Sequence, residues 1–297
     1  MSETSSKKWG NTMKCENKPM EVTWFPGCSM KTSAMENHES FKIFCEAIGI
    51  RLVELPDWNC CGSSSAHSID RELAFDLVAR NLAMAPSGRP ILTACPSCTL
   101  RFKETHHHLT ESADARIRFR RQWGVPFDES KKVMHFFELI DGMDISAFTN
   151  GEKPLSGLTY APYYGCMLAR PPKLRNQKNF HGLLEKILGT LGAKAVTWKG
   201  STKCCGTFLS VARPEATTEV VNGIVQSGIE SGADCLITAC AMCQLNLEIR
   251  CNLKSQLPVL HFSEILTLAL GKGENTDQWF KRHLVDPKPL LAANGLI

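Results

Sequence analysis

No stretch of this sequence approaches the ~18 consecutive apolar residues that a membrane-spanning helix needs, so no transmembrane segment is expected. The opening residues are polar and offer no apolar core for a secretory signal. The expectation is therefore a cytoplasmic chain, peripheral to a membrane only through partners. A dominant charge sign is missing too. Lys and Arg number 34 against 30 Asp and Glu, a net charge of +4 with both signs interspersed. That argues against the concentrated basic stripe of a nucleic-acid binder, and no nucleic-acid partner is expected. The Cys-x-x-Cys-x-x-Cys-x-x-x-Cys-Pro run of a ferredoxin-type cluster is also absent. Electrons used by this chain must then come from a partner.

What the sequence has in abundance is cysteine, 14 in 297 residues. In a reducing compartment such clustering reads as metal ligation or redox chemistry rather than structural disulfides. Ten of the 14 fall into an order that occurs twice. The first copy runs Phe25-Pro26-Gly27-Cys28, Asn59-Cys60-Cys61-Gly62, Cys95-Pro96-Ser97-Cys98, then His135. The second runs Tyr163-Tyr164-Gly165-Cys166, Cys204-Cys205-Gly206, Cys240-Ala241-Met242-Cys243, then His261. The residues between cysteine landmarks number 31 and 33 in the first copy, 37 and 34 in the second. Such internal self-similarity marks a duplication. We expect a polar tail over 1–20, a first domain over 21–150 and a second over 151–297.

Taken in order, the first half reads as alternating short strands and helices. Strands are expected near Val22–Phe25, Ile50–Leu55, Pro90–Ala94 and Val133–Phe137, with helices near 35–49, 69–85 and from Cys95 to about 113. The charged region 114–131 resists placement. The second half repeats the pattern, with strands at Gly157–Tyr164, Ala195–Trp198 and Cys235–Ala239 and helices over 178–191, 214–231 and 241–252. Alternation of this kind implies an α/β fold of two small, mostly parallel sheets flanked by helices. Ligands of such sheets gather beyond the carboxyl ends of the strands. The cysteine elements of each half leave strands at that end, so five thiols can converge on one site.

Two thiolates in Cys-x-x-Cys at a strand–helix junction can chelate one site, with helix N-terminal amides stabilising their charge. Adjacent cysteines behave differently. Their side chains diverge on an extended backbone, which suits a larger cluster with several iron atoms, and Gly62 and Gly206 leave room for close backbone approach. A structural zinc site normally uses four ligands in spaced pairs; zinc in one half stays open as an alternative. Cys45, Cys235 and Cys251 lie on apolar stripes or strands and read as core, and Cys15 lies in the tail.

These residues resemble the tandem CCG domains of the B subunit of heterodisulfide reductase, over about residues 21–270. The resemblance implies two non-cubane [4Fe–4S] clusters. One would be held by Cys28, Cys60, Cys61, Cys95 and Cys98, the other by Cys166, Cys204, Cys205, Cys240 and Cys243. It further implies reductive cleavage of a disulfide, or oxidation of thiols, with turnover depending on Cys61 and Cys205. The implied partners are a thiol or disulfide substrate, a ferredoxin-motif iron–sulfur protein (HdrC-like) and a flavin protein (HdrA-like). CCG pairs also serve quinone-linked dehydrogenase and fumarate reductase complexes, and sulfur-oxidising complexes resembling heterodisulfide reductase. Disulfide chemistry stands first here because no membrane-docking helix is evident beyond the weakly apolar Ile265–Leu270.

Weaker signals remain. His106-His107-His108 point about 100° apart on a helix and cannot chelate together. His135 and His261 recur at matching places and either bond a cluster sulfur or cap the following helix. Lys31, Arg170, Lys203 and Arg213 flank the motifs and could attract an anionic thiol.

Overall fold

A computed structural model of the chain describes residues 19–169, 180–274 and 276–297. Cys15 and Arg170 fall outside these residues. Two four-stranded sheets are present, all parallel in each case. The first has the order β2-β1-β3-β4, with β1 Met20–Trp24, β2 Ile50–Glu54, β3 Ile91–Thr93 and β4 Val133–His135. The second repeats it as β6-β5-β7-β8, with β5 Thr159–Tyr163, β6 Lys194–Ala195, β7 Cys235–Thr238 and β8 Val259–His261. In both, the strand before the first cysteine is central, pairing in register with a neighbour on each side (Trp24 with Glu54 and Leu92; Tyr160 with Ala195 and Cys235). The fold is the α/β duplication that the alternation of elements implies.

Packing divides the chain into two compact units. One comprises residues up to 28 together with 45–144; the other comprises 29–44 and 145–297. This differs from a cut at residue 150, because α1 (Met35–Ala47), the crossover from β1 to β2, contributes most of its length to the second unit. Its side chains account for that. Asn37 Nδ2 donates to Gln244 Oε1 at 2.6 Å, Ser40 Oγ lies 2.7 Å from Ser263 Oγ, and Phe41 meets Phe262 edge-on.

In the first unit the crossovers are α2 (Arg71–Met84), α3 (Pro96–Glu111) and α4 (Ala113–Trp123), followed by α5 (Phe136–Ile140). Each start has a local cause. The Asp70 carboxylate accepts from the N–H groups of Glu72 and Leu73, and Ser112 accepts from Ala115. Pro96 occupies the first turn of α3, where a missing N–H costs nothing. The region left unplaced by pattern, 114–131, is largely α4. Its charged face hid the signal, since Phe119 alone is fully buried in it. The second unit continues with α6 (Leu183–Thr190), α7 (Pro214–Glu230), α8 (Ala241–Ile249) and α9 (Phe262–Ala269). Every residue of α9 is buried, so Ile265–Ala269, nearly all of the weakly apolar stretch, is core rather than a docking face.

The two recurring histidines cap helices. His135 Nδ1 accepts from the Phe137 N–H at 3.2 Å while Glu138 accepts from the His135 N–H, and Glu264 accepts from the His261 N–H at 2.7 Å. The His106–His108 run diverges as helical geometry requires. His106 packs edge-on to Phe127, His107 is exposed and His108 stacks on Phe75. Cys45 and Cys235 are fully buried, and Cys251 packs against the second unit's apolar cluster.

Candidate iron–sulfur sites

In the first unit, a helical turn over Gly27–Lys31 carries Cys28 directly off the end of β1. The loop leaving β2 carries Cys60 and Cys61. Cys95 is the N-cap of α3 and Cys98 sits in its first turn. All five therefore stand at the carboxyl edge of the sheet, and the structure brings them together. The Cys28 and Cys60 sulfurs are 3.6 Å apart and those of Cys61 and Cys98 are 3.4 Å apart. Cys61 also shares a hydrogen bond with Cys60, and Cys98 with Cys95. Cys61, Cys95 and Cys98 are buried in one apolar cluster with Phe25, Leu55 and Phe102, whereas Cys28 is exposed.

The second unit repeats the arrangement. Cys166 lies in the helical turn Gly165–Ala169, Cys204 and Cys205 follow β6, Cys240 is the N-cap of α8 and Cys243 is in its first turn. The Cys205 and Cys243 sulfurs are 3.5 Å apart, and Cys166 bonds Cys204 as Cys243 bonds Cys240. The Gly206 N–H points at Cys204 Sγ from 3.4 Å. Cys204 is exposed and Cys205 buried.

The electrostatics of the two pockets follow from this crowding. Hydrogen bonds from the Cys60 and Cys98 thiols hold Cys61 down to about 5, against an ordinary thiol value of 9.0. Cys98, the donor, is pushed well up by that same bond, by Cys95 and by burial. Cys205 is held down to about 7 by Cys243 and then by the Thr207 hydroxyl and N–H, while Cys243 rises. Each pocket thus gives up one proton readily and resists losing the next, because thiolates this close repel one another. Five thiolates can coexist there only around a guest carrying substantial positive charge. Among the described residues, no three His, Cys, Asp or Glu side chains are arranged to hold a single metal ion.

Two glycines shape the cradle. A Cβ on Gly27, whose φ is +73°, would sit 3.1 Å from Cys98 Sγ; one on Gly165, φ +66°, would sit 3.3 Å from Cys243 Sγ. The absent methyl groups leave the sulfurs room. Gly62 does something other than make room for a cofactor: its Cβ would meet Ala66 and Leu77 at 2.8 Å, so it seats the protein's own helices. Gly206 likewise faces Thr217.

Several functional residues lie outside the cysteine pattern. Thr207 places its hydroxyl 2.8 Å from Cys205 Sγ, and Asn246 Nδ2 donates to the Cys205 carbonyl at 2.7 Å. In the first unit Asn81 grips the loop through both directions of the Asn59 backbone, accepting from its N–H at 3.0 Å and donating to its carbonyl at 2.9 Å. Gly27 and Gly165 were visible as the residue before the first cysteine in both copies. Thr207 has a weak signal, the Ser63 that takes its place in the first copy. Asn81 and Asn246, on helices distant in sequence, have none.

A duplicated parallel α/β fold with a five-cysteine pocket at the strand ends of each copy defines a cysteine-rich domain protein. A family model described as the cysteine-rich domain, CCG, matches residues 22–103 and again 160–248, and the chain belongs to that family. It is 30% identical to an 8-methylmenaquinol:fumarate reductase membrane anchor subunit of Wolinella succinogenes over 84% of this chain and 92% of that one. It is 25% identical to the B subunit of a ferredoxin/F420H2-dependent CoB-CoM heterodisulfide reductase of Methanosarcina acetivorans, over 84% of this chain and 89% of that one. Among solved structures, a hypothetical protein from Helicobacter pylori superposes with a TM-score of 0.69 at 14% identity. That likeness covers 95% of this chain and 58% of the other, and bears on the fold alone. No helix among the described residues is long and apolar enough to cross a membrane.

Proposed function

We propose that this chain is the CCG subunit of a multi-subunit, quinone-linked oxidoreductase of the fumarate reductase or succinate dehydrogenase kind. In this reading it passes electrons through two non-cubane [4Fe–4S] clusters. The observation that carries it is the pair of five-thiol pockets, alike in ligand order and each set at the carboxyl end of its own sheet. Cys28, Cys60, Cys61, Cys95 and Cys98 would hold one cluster; Cys166, Cys204, Cys205, Cys240 and Cys243 would hold the other. When bound, the clusters supply one-electron steps. The chain's own residues fix the ligand sulfurs: Asn81 and Asn246 anchor the double-cysteine loops, and the α3 and α8 N-termini favour thiolate over thiol. The quinone-linked direction takes its support from the relative of higher identity, a menaquinol:fumarate reductase subunit, matched across nearly the whole of both chains. The complex would add a flavin subunit and a ferredoxin-motif subunit, at the cytoplasmic face of the membrane.

A second reading is disulfide reduction or thiol oxidation at the same clusters, and the relatives that are B subunits of heterodisulfide reductases support it. Anaerobic holoprotein separates the two. We expect about eight iron and eight sulfide per chain, four of each per cluster, and reduction of the clusters by a water-soluble menaquinol analogue. Cys61→Ala and Cys205→Ala should each fold, lose about half of the iron and abolish turnover. Cluster spectra that respond to thiols or disulfides and ignore the quinol would overturn the first reading in favour of the second. Zinc in place of iron in one pocket would overturn the two-cluster basis of both.

A further inference from the structure

The two copies agree in their cysteines and part company immediately after the double cysteine. The first copy continues Ser63-Ser64-Ser65-Ala66-His67; the second continues Thr207-Phe208-Leu209-Ser210-Val211. Phe208, Leu209 and Val211 are 39%, 54% and 91% exposed, beside the exposed Cys204. Exposure here does not come from a slack loop. Thr207 is tied to the Cys205 sulfur, and Arg250 holds Ser210 from within through its hydroxyl at 2.8 Å and its carbonyl at 2.6 Å. With Ser210 pinned inward, its apolar neighbours are turned out to solvent. Soluble surfaces rarely present three large apolar side chains in four positions without something to cover them.

The surrounding charge says what covers them. From Lys186 to Pro214 the chain has five cations, Lys186, Lys194, Lys199, Lys203 and Arg213, and no acid. Lys199, Lys203 and Arg213 are exposed on the segment that carries the apolar turn, and the next acid is Glu215 on α7. A protein of net charge +4 has therefore set a local positive field around an apolar tip. Apolar side chains that enter the headgroup boundary, flanked by cations that face lipid phosphates, are the means by which a surface without a spanning helix binds an anionic bilayer.

We propose that the turn 207–213, with Lys199 and Lys203, is a membrane-docking surface for anionic lipid. It would hold the second cysteine pocket at the level of the quinone headgroups. This rests on the quinone-linked reading and adds to it the surface through which this chain itself meets the bilayer.

The test is sedimentation of the holoprotein with vesicles of phosphatidylcholine or of phosphatidylcholine rich in phosphatidylglycerol. Wild type should bind the anionic vesicles, more weakly as salt rises, and bind neutral vesicles poorly. Phe208→Ser, Leu209→Ser and Val211→His together install the first copy's residues and should weaken binding at least tenfold, with iron content unchanged. Lys199→Gln, Lys203→Gln and Arg213→Gln together should weaken it on the order of 100-fold, at roughly fivefold per cation. Equal binding by wild type and the apolar variant, or no vesicle binding by wild type, would overturn the proposal. So would loss of a partner subunit from the variant with vesicle binding intact, since the surface would then be a protein interface. Reduction of the clusters by a soluble menaquinol analogue is measured alongside. If that fails while vesicles still bind, the quinone-linked reading falls and the docking surface stands.

Discussion

Gly27→Ala is the sharpest perturbation the cradle offers, because the structure supplies its own control. Gly27 and Gly49 both adopt a left-handed backbone, with φ of +73° and +77°. An L-residue in that region costs roughly 1–2 kcal/mol, so both alanine variants should lose about that much stability. They differ in what the new methyl meets. At Gly49 nothing lies within 4 Å; at Gly27 the methyl would fall 3.1 Å from Cys98 Sγ, inside ordinary van der Waals contact. A free thiol can give way by a few tenths of an ångström, but a sulfur bonded to iron is fixed. We therefore expect similar stability losses in the cluster-free proteins, by anaerobic denaturant unfolding. Only Gly27→Ala should lose the first cluster, roughly halving iron at about four of about eight atoms, with the second cluster's spectrum unchanged. Equal iron loss from the two variants, or full iron in Gly27→Ala, would refute the idea that the missing methyl makes room for a ligand sulfur.

His283 stands buried between Glu248 Oε1 and Glu264 Oε1, each at 2.9 Å. Burial opposes its charge, yet the attraction of Glu264 and then Glu248 outweighs this and raises it from 6.5 to about 11. His283→Gln strands two buried carboxylates and should cost about 3–5 kcal/mol at neutral pH by thermal or denaturant unfolding. A raised basic group contributes in full below its unfolded value and loses its contribution as pH rises through its folded value. The gap between wild type and variant should thus narrow from pH 6.5 toward 11, and a gap that widens would contradict the pairing. Burial, with help from Glu264, pushes Glu36 up to about 7 from 4.5. Folding then takes up a proton between those values, so Glu36 makes stability fall as pH rises from 4.5 to 7. Glu36→Gln should be the more stable protein at about pH 8, with the advantage gone below pH 4.5. Thr207→Val removes the hydroxyl 2.8 Å from Cys205 Sγ; alkylation of Cys205 in the cluster-free chain should shift to higher pH, and an unmoved profile would show that Cys243 alone sets it.

The cysteine sites were legible in the sequence because their signal is chemical and repeated. Ten thiols in one order, each leaving a strand, leave the topology little choice about where they gather. The central position of β1 and β5 was not legible, since strand order depends on crossovers that no local pattern records. Nor was the transfer of α1 to the second unit. Asn37, Ser40 and Phe41 look like ordinary helix residues, and only their partners Gln244, Ser263 and Phe262, more than 200 positions away, give them a place. The reading of Gly62 as room for a cofactor erred for a related reason. A conspicuous glycine beside a cysteine suggests the cysteine's ligand, but its φ of +69° and the 2.8 Å approach of Leu77 show it serving the α2 interface.

Duplication makes the departures between copies informative, because the shared residues already account for what the copies do in common. Ligand order, strand-end placement, the glycine before the first cysteine and the histidine-capped helix after the sheet are held twice, so they belong to building a pocket. What surrounds the double cysteine is not held. In the first copy Cys61 is stabilised as thiolate by two neighbouring thiols; in the second, Cys205 is stabilised by one thiol and by Thr207. The hydroxyl that lowers Cys205 also fixes the start of the turn that exposes Phe208 and Leu209. Hydrogen bonding to ligand sulfur and exposure of the site are two of the levers that set an iron–sulfur potential. Both differ between the pockets at the same few residues. The second pocket is therefore the one whose surroundings have diverged toward an outside partner, while the first keeps the polar loop expected of a pocket that only relays.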